Sequence, residues 1–509
     1  MDPNAIVIFN SKQTTAGTFP AAAASPHRRM DQSLVRNLIW RAAGDWISQI
    51  LSWASLLIVV RLLTPTDFGI AAMAVILLPY LRYLGEFGIP RTIINMRDLT
   101  EDQIAQLNTV GLMLGVGCFT IAALLAKPFA AFFRTSALTW VVIVTSLTLI
   151  PQGFRAVSEG LLSREMRFRL LAGCEAVRAI VAALATLVLA YLHFGYWALV
   201  LGNLAGTAIR TVLIVRARPH RFALPHLSSI SAALRFGWHV MVSLVALNSY
   251  QSLDNITAGR VLGRAALGFY GMAWTLANVP IEKVTSLVTT VIPSYLATVQ
   301  NEPAALRRYL RALTEAIALV TFPATVGLGL VAHELVPLAL GHKWDGVVAP
   351  LQILSLYAGF RSIMALVPKV LTAVGDARYV MWNDLAALVV LPIAFYIGSH
   401  WGTRGIAYGW VAAYPFVVVP LFRKTFQAIK MKTSEYLRAL RPATDGVLVM
   451  AAAVLLVKLR LHPSQSLLLA LTLEVFVGAS AYCATVFLMH RQRVLALAGV
   501  LKAFRRRES

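Results

Sequence analysis

Apolar residues in this chain come in blocks about as long as a bilayer is thick. Between residues 38 and 489, runs of roughly 20 apolar residues alternate with short polar breaks, the length an α-helix needs to cross about 30 Å of hydrocarbon. Helices, not barrel strands, fit such blocks. The spans fall near 38–63, 68–89, 107–128, 138–158, 171–192, 196–216, 233–259, 268–296, 311–332, 348–374, 379–400, 404–422, 444–459 and 466–489. The pattern predicts an all-α integral membrane protein with about fourteen transmembrane helices and almost no soluble domain.

Composition agrees, since 58% of the residues are hydrophobic, 14% are charged and the mean hydropathy is +0.69. The net charge of +23 would suit nucleic acid in a soluble chain, but in a membrane protein the first question is which side the cations take. Most of the Lys and Arg outside the spans lie in the two tails and the even-numbered loops, in clusters such as Arg164, Arg167 and Arg169 or Arg505 to Arg507. The positive-inside rule therefore predicts a multi-pass protein with both termini cytoplasmic. These clusters signal topology and attract anionic headgroups, and no nucleic-acid partner is expected. Residues 1–32, rich in Ala, Ser, Thr and Pro, read as a disordered cytoplasmic tail, and 491–509 as a basic one. Cys118, Cys174 and Cys483 sit singly in apolar segments and offer neither a disulfide framework nor a metal site.

A repeat emerges when the chain is shifted by 199 residues against itself. Arg61-Leu-Leu falls on Arg260-Val-Leu, Gly69 on Gly268, Met73-Ala74 on Met272-Ala273 and Arg36 on Arg235. Each copy joins the first helix of a half to its second, with Pro65 and Gly69 turning the chain and Thr66 or Asp67 available to cap the next helix. Six spans separate the copies, so both halves enter from the same side and a pseudo-twofold along the membrane normal is expected. The corresponding organisation is 33–217 (helices one to six), 218–430 (helices seven to twelve) and 431–490 (helices thirteen and fourteen).

Ionisable groups inside hydrocarbon cost roughly 2.5 to 3.5 kcal/mol even on lenient scales, so they face a cavity or a partner. On helix one, Arg41, Asp45, Ser48, Gln49, Ser52 and Ser55 share about a third of the circumference at about 100° per residue. Helix seven carries Asn248, Gln251, Ser252 and Asn255 at helical spacing. Helix two adds Arg82 and Glu86, helix eight Glu282 and Lys283, and helix ten Arg361 and Lys369. Arg178 and Arg210 read as internally paired or snorkelling to an interface. Arg41, Arg82, Lys283 and Arg361 together outnumber the acids near them, which predicts a cavity for an anionic ligand such as a phosphate or pyrophosphate. Pro79 and Pro280 would permit kinks. No Gly-rich phosphate loop, His-Glu-x-x-His or Cys-x-x-Cys occurs, so no enzyme, cofactor or metal is expected; His333 and His342 receive no role.

Arg61-Leu-Leu-Thr-Pro-Thr-Asp-Phe-Gly after an amphipathic first helix, and Glu159-Gly-Leu-Leu-Ser-Arg-Glu-Met-Arg-Phe-Arg after the fourth, resemble the Wzx-type flippases of the multidrug/oligosaccharidyl-lipid/polysaccharide superfamily. Val374-Gly-Asp-Ala-Arg378 is similar too, and the resemblance covers about residues 33–425. It implies two pseudo-symmetric six-helix bundles around a central cavity, two appended helices, and alternating-access transport of an undecaprenyl-pyrophosphate-linked oligosaccharide to the periplasmic leaflet. It also implies that Arg41 and Arg82 hold the pyrophosphate, that a polysaccharide polymerase and chain-length machinery are further partners beside the lipid bilayer, and that Asp45, Glu86, Asp254 and Glu282 are candidates for ion coupling. A lipid II flippase or drug antiporter of the same superfamily, and a membrane-embedded polymerase, are the competing readings.

Overall fold

The computed structural model describes residues 53–96, 98–249, 252–298, 302–461 and 466–507, and among these it is all-helical, without strands. The first half comprises α1 (Trp53–Leu62), α2 (Pro65–Glu86), α3 (Ile89–Asn95), α4 (Glu101–Phe132), α5 (Leu138–Ser146), α6 (Leu149–Arg164), α7 (Phe168–Tyr191) and α8 (Tyr196–Ala217). The second begins with α9 (Leu227–Ser249), α10 (Leu253–Thr257) and a π-turn at Ala258–Leu262, and continues through α11 (Arg264–Thr298), α12 (Pro303–Leu330) and α13 (Ala332–Leu340). A 3₁₀ turn at His342–Val347 leads to α14 (Val348–Met364), α15 (Val367–Ala373), α16 (Ala377–Ser399) and α17 (Gly402–Ala428), followed by α18 (Thr433–Arg460) and α19 (Leu467–Arg507). Eleven spans among the described residues are long and apolar enough to cross a membrane. Three further helices expected from the hydropathy pattern, α1, α9 and α11, each adjoin residues outside those described.

The α1–α2 hairpin follows from three adjacent residues. Pro65 has no N–H to donate and a φ already suited to a helix, so it takes the first helical position and leaves the cap to its predecessor. Thr64 is that cap: its Oγ1 accepts from the Asp67 N–H at 3.2 Å, while Asp67 Oδ2 accepts from the Thr64 N–H at 2.9 Å. The cap is thus Thr64 rather than Thr66 or Asp67, and Asp67 is its reciprocal partner. The second carboxylate oxygen of Asp67 accepts the Tyr196 N–H at 3.1 Å, which ties the start of α8 to the same hairpin.

Helices α2, α4, α6, α7 and α8 pack with one another, as do α11, α12, α14, α16 and α17, while α18 and α19 pair and lie against α12 and α13. The two groups meet most closely where α2 crosses α11. This crossing is reciprocal. A methyl group added to Gly69 would overlap the Arg264 carbonyl, and one added to Gly268 would overlap the Pro65 carbonyl. Gly268 and Arg264 stand 199 residues after Gly69 and Pro65, so each copy of the repeat presents the same surface to the other, as in an isologous contact about a twofold. Only glycine lets two helix backbones approach this far.

A second close approach lies at the far end of α2, where Phe87 and Gly88 take left-handed φ values of 43° and 66° and break the helix before α3. There a methyl on Gly88 would stand 2.8 Å from the Gly237 carbonyl of α9. The protein therefore has a Thr64 end, closed by α2 against α11, and an Arg164 end, where α9 rests on α2 and α3.

Overpacking of a backbone crossing costs about 1–3 kcal/mol. Gly268→Ala is accordingly expected to lower the thermal unfolding midpoint of the detergent-solubilised protein by several degrees. Gly271→Ala, whose added methyl meets nothing within 4 Å, is expected to leave it unchanged or raise it slightly.

Candidate functional site

Close packing of α4 on α6 fixes the charged residues of the first half. Gly111, Gly115 and Gly153 allow that contact, with a methyl on Gly115 placed 2.8 Å from the Leu149 carbonyl, and this directs Arg155 and Glu159, one turn apart on α6, toward α8. Arg155, nearly fully buried, donates Nε–H to Glu159 Oε2 at 2.9 Å. From α8, Arg210 reaches Glu159 Oε1 at 2.7 Å and stands 3.2 Å from Glu175 Oε2 of α7, whose other oxygen is 2.6 Å from Arg178. The result is an alternating chain, Arg178–Glu175–Arg210–Glu159–Arg155, running from the lipid-facing α7 inward.

At its inner end the chain borders a cavity of about 320 Å³ near the Arg164 end. Arg82 and Glu86 of α2, Arg91 of α3, Gln152, Arg155 and Glu159 of α6 and Arg210 of α8 line it. Four arginines therefore face two glutamates. Among the described residues Arg82 has no carboxylate within ion-pair distance; its guanidinium donates to the neighbouring Tyr83 hydroxyl at 3.3 Å and lies 5.1 Å from that ring's centre. The guanidinium groups outnumber the carboxylates here, so the lining carries a net positive charge, and guanidinium forks match the geometry of phosphate oxygens.

A second cavity of about 490 Å³ lies between the halves under the α2–α11 crossing. Its walls are mainly apolar, with Phe68, Val75, Pro79 and Trp274, but Thr145, Asn203, Ser252, Asn255 and Thr275 supply hydroxyl and amide groups. A third space, an almost wholly apolar groove of about 560 Å³, is walled by Leu276, Val279 and Pro280 of α11, Pro323 and Gly327 of α12, and Met450, Val454, Glu474 and Tyr482 of α18 and α19. At its edge Lys458 bonds Glu334 at 2.7 Å and approaches the buried Glu474 at 3.5 Å.

Of the residues singled out in the sequence, Arg82 and Glu86 line the arginine cavity and Asn255 lines the central one. Arg41, Asp45, Gln49, Ser52 and Gln251 lie outside the described residues, as do the side chains of Asn248 and Lys283. Arg361 is not at either cavity. Its Nη2 donates to Asn278 Oδ1 at 2.7 Å and its guanidinium rests 5.2 Å from the centre of Trp274, so an amide and an aromatic face take the place of a ligand. Lys369, half-buried on α15, and Glu282, exposed on α11, also lie away from both linings. Asp254 is fully buried, accepting from Tyr270 Oη at 2.8 Å and Trp410 Nε1 at 3.1 Å. Arg178 is internally paired as expected, whereas Arg210 is both paired and cavity-lining. Arg91, Arg155 and Glu159 carried no role in the sequence reading; the four-residue spacing of Arg155 and Glu159 was the available signal. No metal-ligand cluster occurs among the described residues.

These helices form the fold of a membrane transporter. Solved structures that share it include the lipid II flippase MurJ in an inward closed conformation, with a TM-score of 0.71, 13% identity and coverage of 90% of this chain and 100% of that one, and an inward-facing multidrug-resistance MATE transporter of the MOP superfamily, with a TM-score of 0.59, 16% identity and coverage of 75% and 94%. The polysaccharide biosynthesis protein family matches residues 58–349, more than half of the chain, and the chain belongs to it. Relatives include the lipopolysaccharide biosynthesis protein WzxC of Escherichia coli K12, 26% identical over 73% of this chain and 76% of that protein, and the teichuronic acid biosynthesis protein TuaB of Bacillus subtilis 168, 23% identical over 70% and 74%. The succinoglycan biosynthesis transport protein ExoT of Rhizobium meliloti is 23% identical over 75% and 77%. The Wzx-type resemblance seen in residues 61–69 and 159–169 is borne out.

Removing the middle member of an ion-pair chain breaks two pairs at once, at a cost of about 2 kcal/mol where each acid keeps a second arginine. Arg210→Ala leaves Glu159 with Arg155 and Glu175 with Arg178 and is expected to destabilise the detergent-solubilised protein by that order. Arg82→Ala strands no acid and should shift stability by less than about 1 kcal/mol. Thermal unfolding of the two variants side by side checks the contrast.

Proposed function

We propose that this membrane transporter is a flippase for a polyprenyl-pyrophosphate-linked oligosaccharide, moving it from the cytoplasmic to the periplasmic leaflet of a bacterial inner membrane for assembly of a surface polysaccharide. The observation that carries this reading is the surplus of arginine in the cavity at the Arg164 end. That end bears the basic loops and, by the positive-inside rule, faces the cytoplasm, where such a substrate is made. Arg82 and Arg91 give the diphosphate its first cations. Arg155 and Arg210 exchange part of their bonding from Glu159 to the phosphate oxygens, so the site is neither empty of charge before binding nor overfilled after it.

The physical task is to shelter only the head. A polyprenyl chain is at home in hydrocarbon, whereas a sugar diphosphate is not. The apolar groove beside α18 and α19 suits the chain, and the amides and hydroxyls of the central cavity suit sugar hydroxyls. Two six-helix bundles completed by α1, α9 and α11, with two appended helices and both termini cytoplasmic, would rock about the α2–α11 crossing. We also assign to this path, from the sequence pattern alone, the cations Arg41 and Lys283 and the polar residues Gln49, Ser52, Asn248 and Gln251, beside Asn255 of the central cavity. Glu86, which lines the same cavity as the arginines, is the leading coupling candidate, with Asp45, Asp254 and Glu282 behind it. A polysaccharide polymerase and its chain-length partner receive the product on the far side.

Replacement of Arg82 by alanine is expected to abolish polymer export while the protein remains at normal abundance in the membrane. Single lipid-linked repeat units should then accumulate on the inner leaflet, measured by extracting lipid-linked intermediates and testing their accessibility in sealed vesicles. Accumulation on the outer leaflet in a strain lacking the protein would instead point to polymerisation and sink the flippase reading.

A further inference from the structure

The Thr64 end is fastened in a way that repeats the symmetry of the chain. Arg61, at the end of α1 in the first half, reaches into the second: its Nε and Nη2 donate to the carbonyls of Ala339 and Leu338 at 3.1 and 2.6 Å, at the carbonyl terminus of α13. Arg260, its counterpart 199 residues on, reaches the other way, donating Nη1–H to the Phe132 carbonyl at the terminus of α4 and lying over the Phe132 ring. Both guanidinium groups thus engage the helix end where carbonyls have no intrahelical partner and the dipole is negative. Two bonds reinforce the first arm. Lys343 Nζ donates to the Arg61 carbonyl at 2.7 Å, and the fully buried Trp344 donates Nε1–H to the Val60 carbonyl at 3.0 Å, with its ring edge-on to Phe68.

Three properties separate this arrangement from ordinary packing. Every acceptor is a backbone carbonyl, so no acid is left stranded in the membrane when the bonds break, and water can satisfy the released groups. Arg61 is exposed and Arg260 half-exposed, so water already reaches the bonds and each is individually weak. The bonds between the halves flank the Gly69–Gly268 crossing, above the central cavity.

We propose that Arg61 and Arg260 are paired clasps that hold the Thr64 end shut and must both release for the central cavity to open there. The proposal rests on the alternating-access reading but not on the identity of the cargo. Each clasp biases the closed-to-open equilibrium by about fivefold, the value of one or two water-exposed bonds to a charged donor.

The test uses the full-length chain with Cys118, Cys174 and Cys483 replaced by serine and Ala72, a wall of the central cavity, replaced by cysteine. Labelling by a membrane-impermeant maleimide added outside spheroplasts is expected to rise about fivefold in Arg61→Gln or Arg260→Gln and further in the pair. Arg61→Lys with Arg260→Lys, which keeps the charge but loses the fork, should fall between; it also serves if the glutamine pair fails to accumulate in the membrane. An unchanged labelling rate in variants present at normal abundance overturns the clasps. A raised rate in a protein whose loss does not disturb lipid-linked glycans would keep the clasps and remove the substrate assignment.

Discussion

A guanidinium group cannot lose its charge in hydrocarbon, so each one placed there has to be answered by a carboxylate, a carbonyl, an aromatic face or a ligand. The described part of this protein uses all of the first three. Carboxylates answer Arg155, Arg178 and Arg210, helix-end carbonyls answer Arg61 and Arg260, and an amide with an indole face answers Arg361. What is left over is the cavity at the Arg164 end, where Arg82 and Arg91 exceed the acids within reach, and this imbalance is the ground for the anionic substrate proposed above.

The two halves share a repeat but not a chemistry. In the first, α6, α7 and α8 hold an ion-pair chain whose members can trade partners. In the second, Trp274, Tyr357 and Trp410 stack with ring centres 4.9 to 6.1 Å apart, and the buried carboxylate of Asp254 is satisfied within this aromatic block by Tyr270 and Trp410.

Symmetry is retained where the halves touch. Gly69 against Arg264 and Gly268 against Pro65 are one contact made twice, and Arg61 and Arg260 cross between the halves in opposite directions, Arg61 to the end of α13 and Arg260 to the end of α4. The seam is thus held at two places by several water-exposed bonds and by no single strong one.

The sequence alone determined the helices, because length and hydropathy are properties of one segment at a time and the bilayer imposes both. It also determined the hairpin at Thr64, set by local cap chemistry, and the 199-residue repeat, although only the structure showed that the repeated glycines meet. Arg82 and Glu86 could be read as site residues from charge within an apolar run. Arg155 and Glu159 could not be assigned a role, and Arg361, read from the sequence as a cavity cation, stands against Asn278 and Trp274, because a charge in a span says that a partner exists without saying which. That choice depends on how far each helix is rotated about its own axis. Lipid is equally apolar on every side, so hydropathy leaves the rotation open; close packing at Gly111, Gly115 and Gly153 settles it, and contacts between distant segments exist only once the helices are assembled.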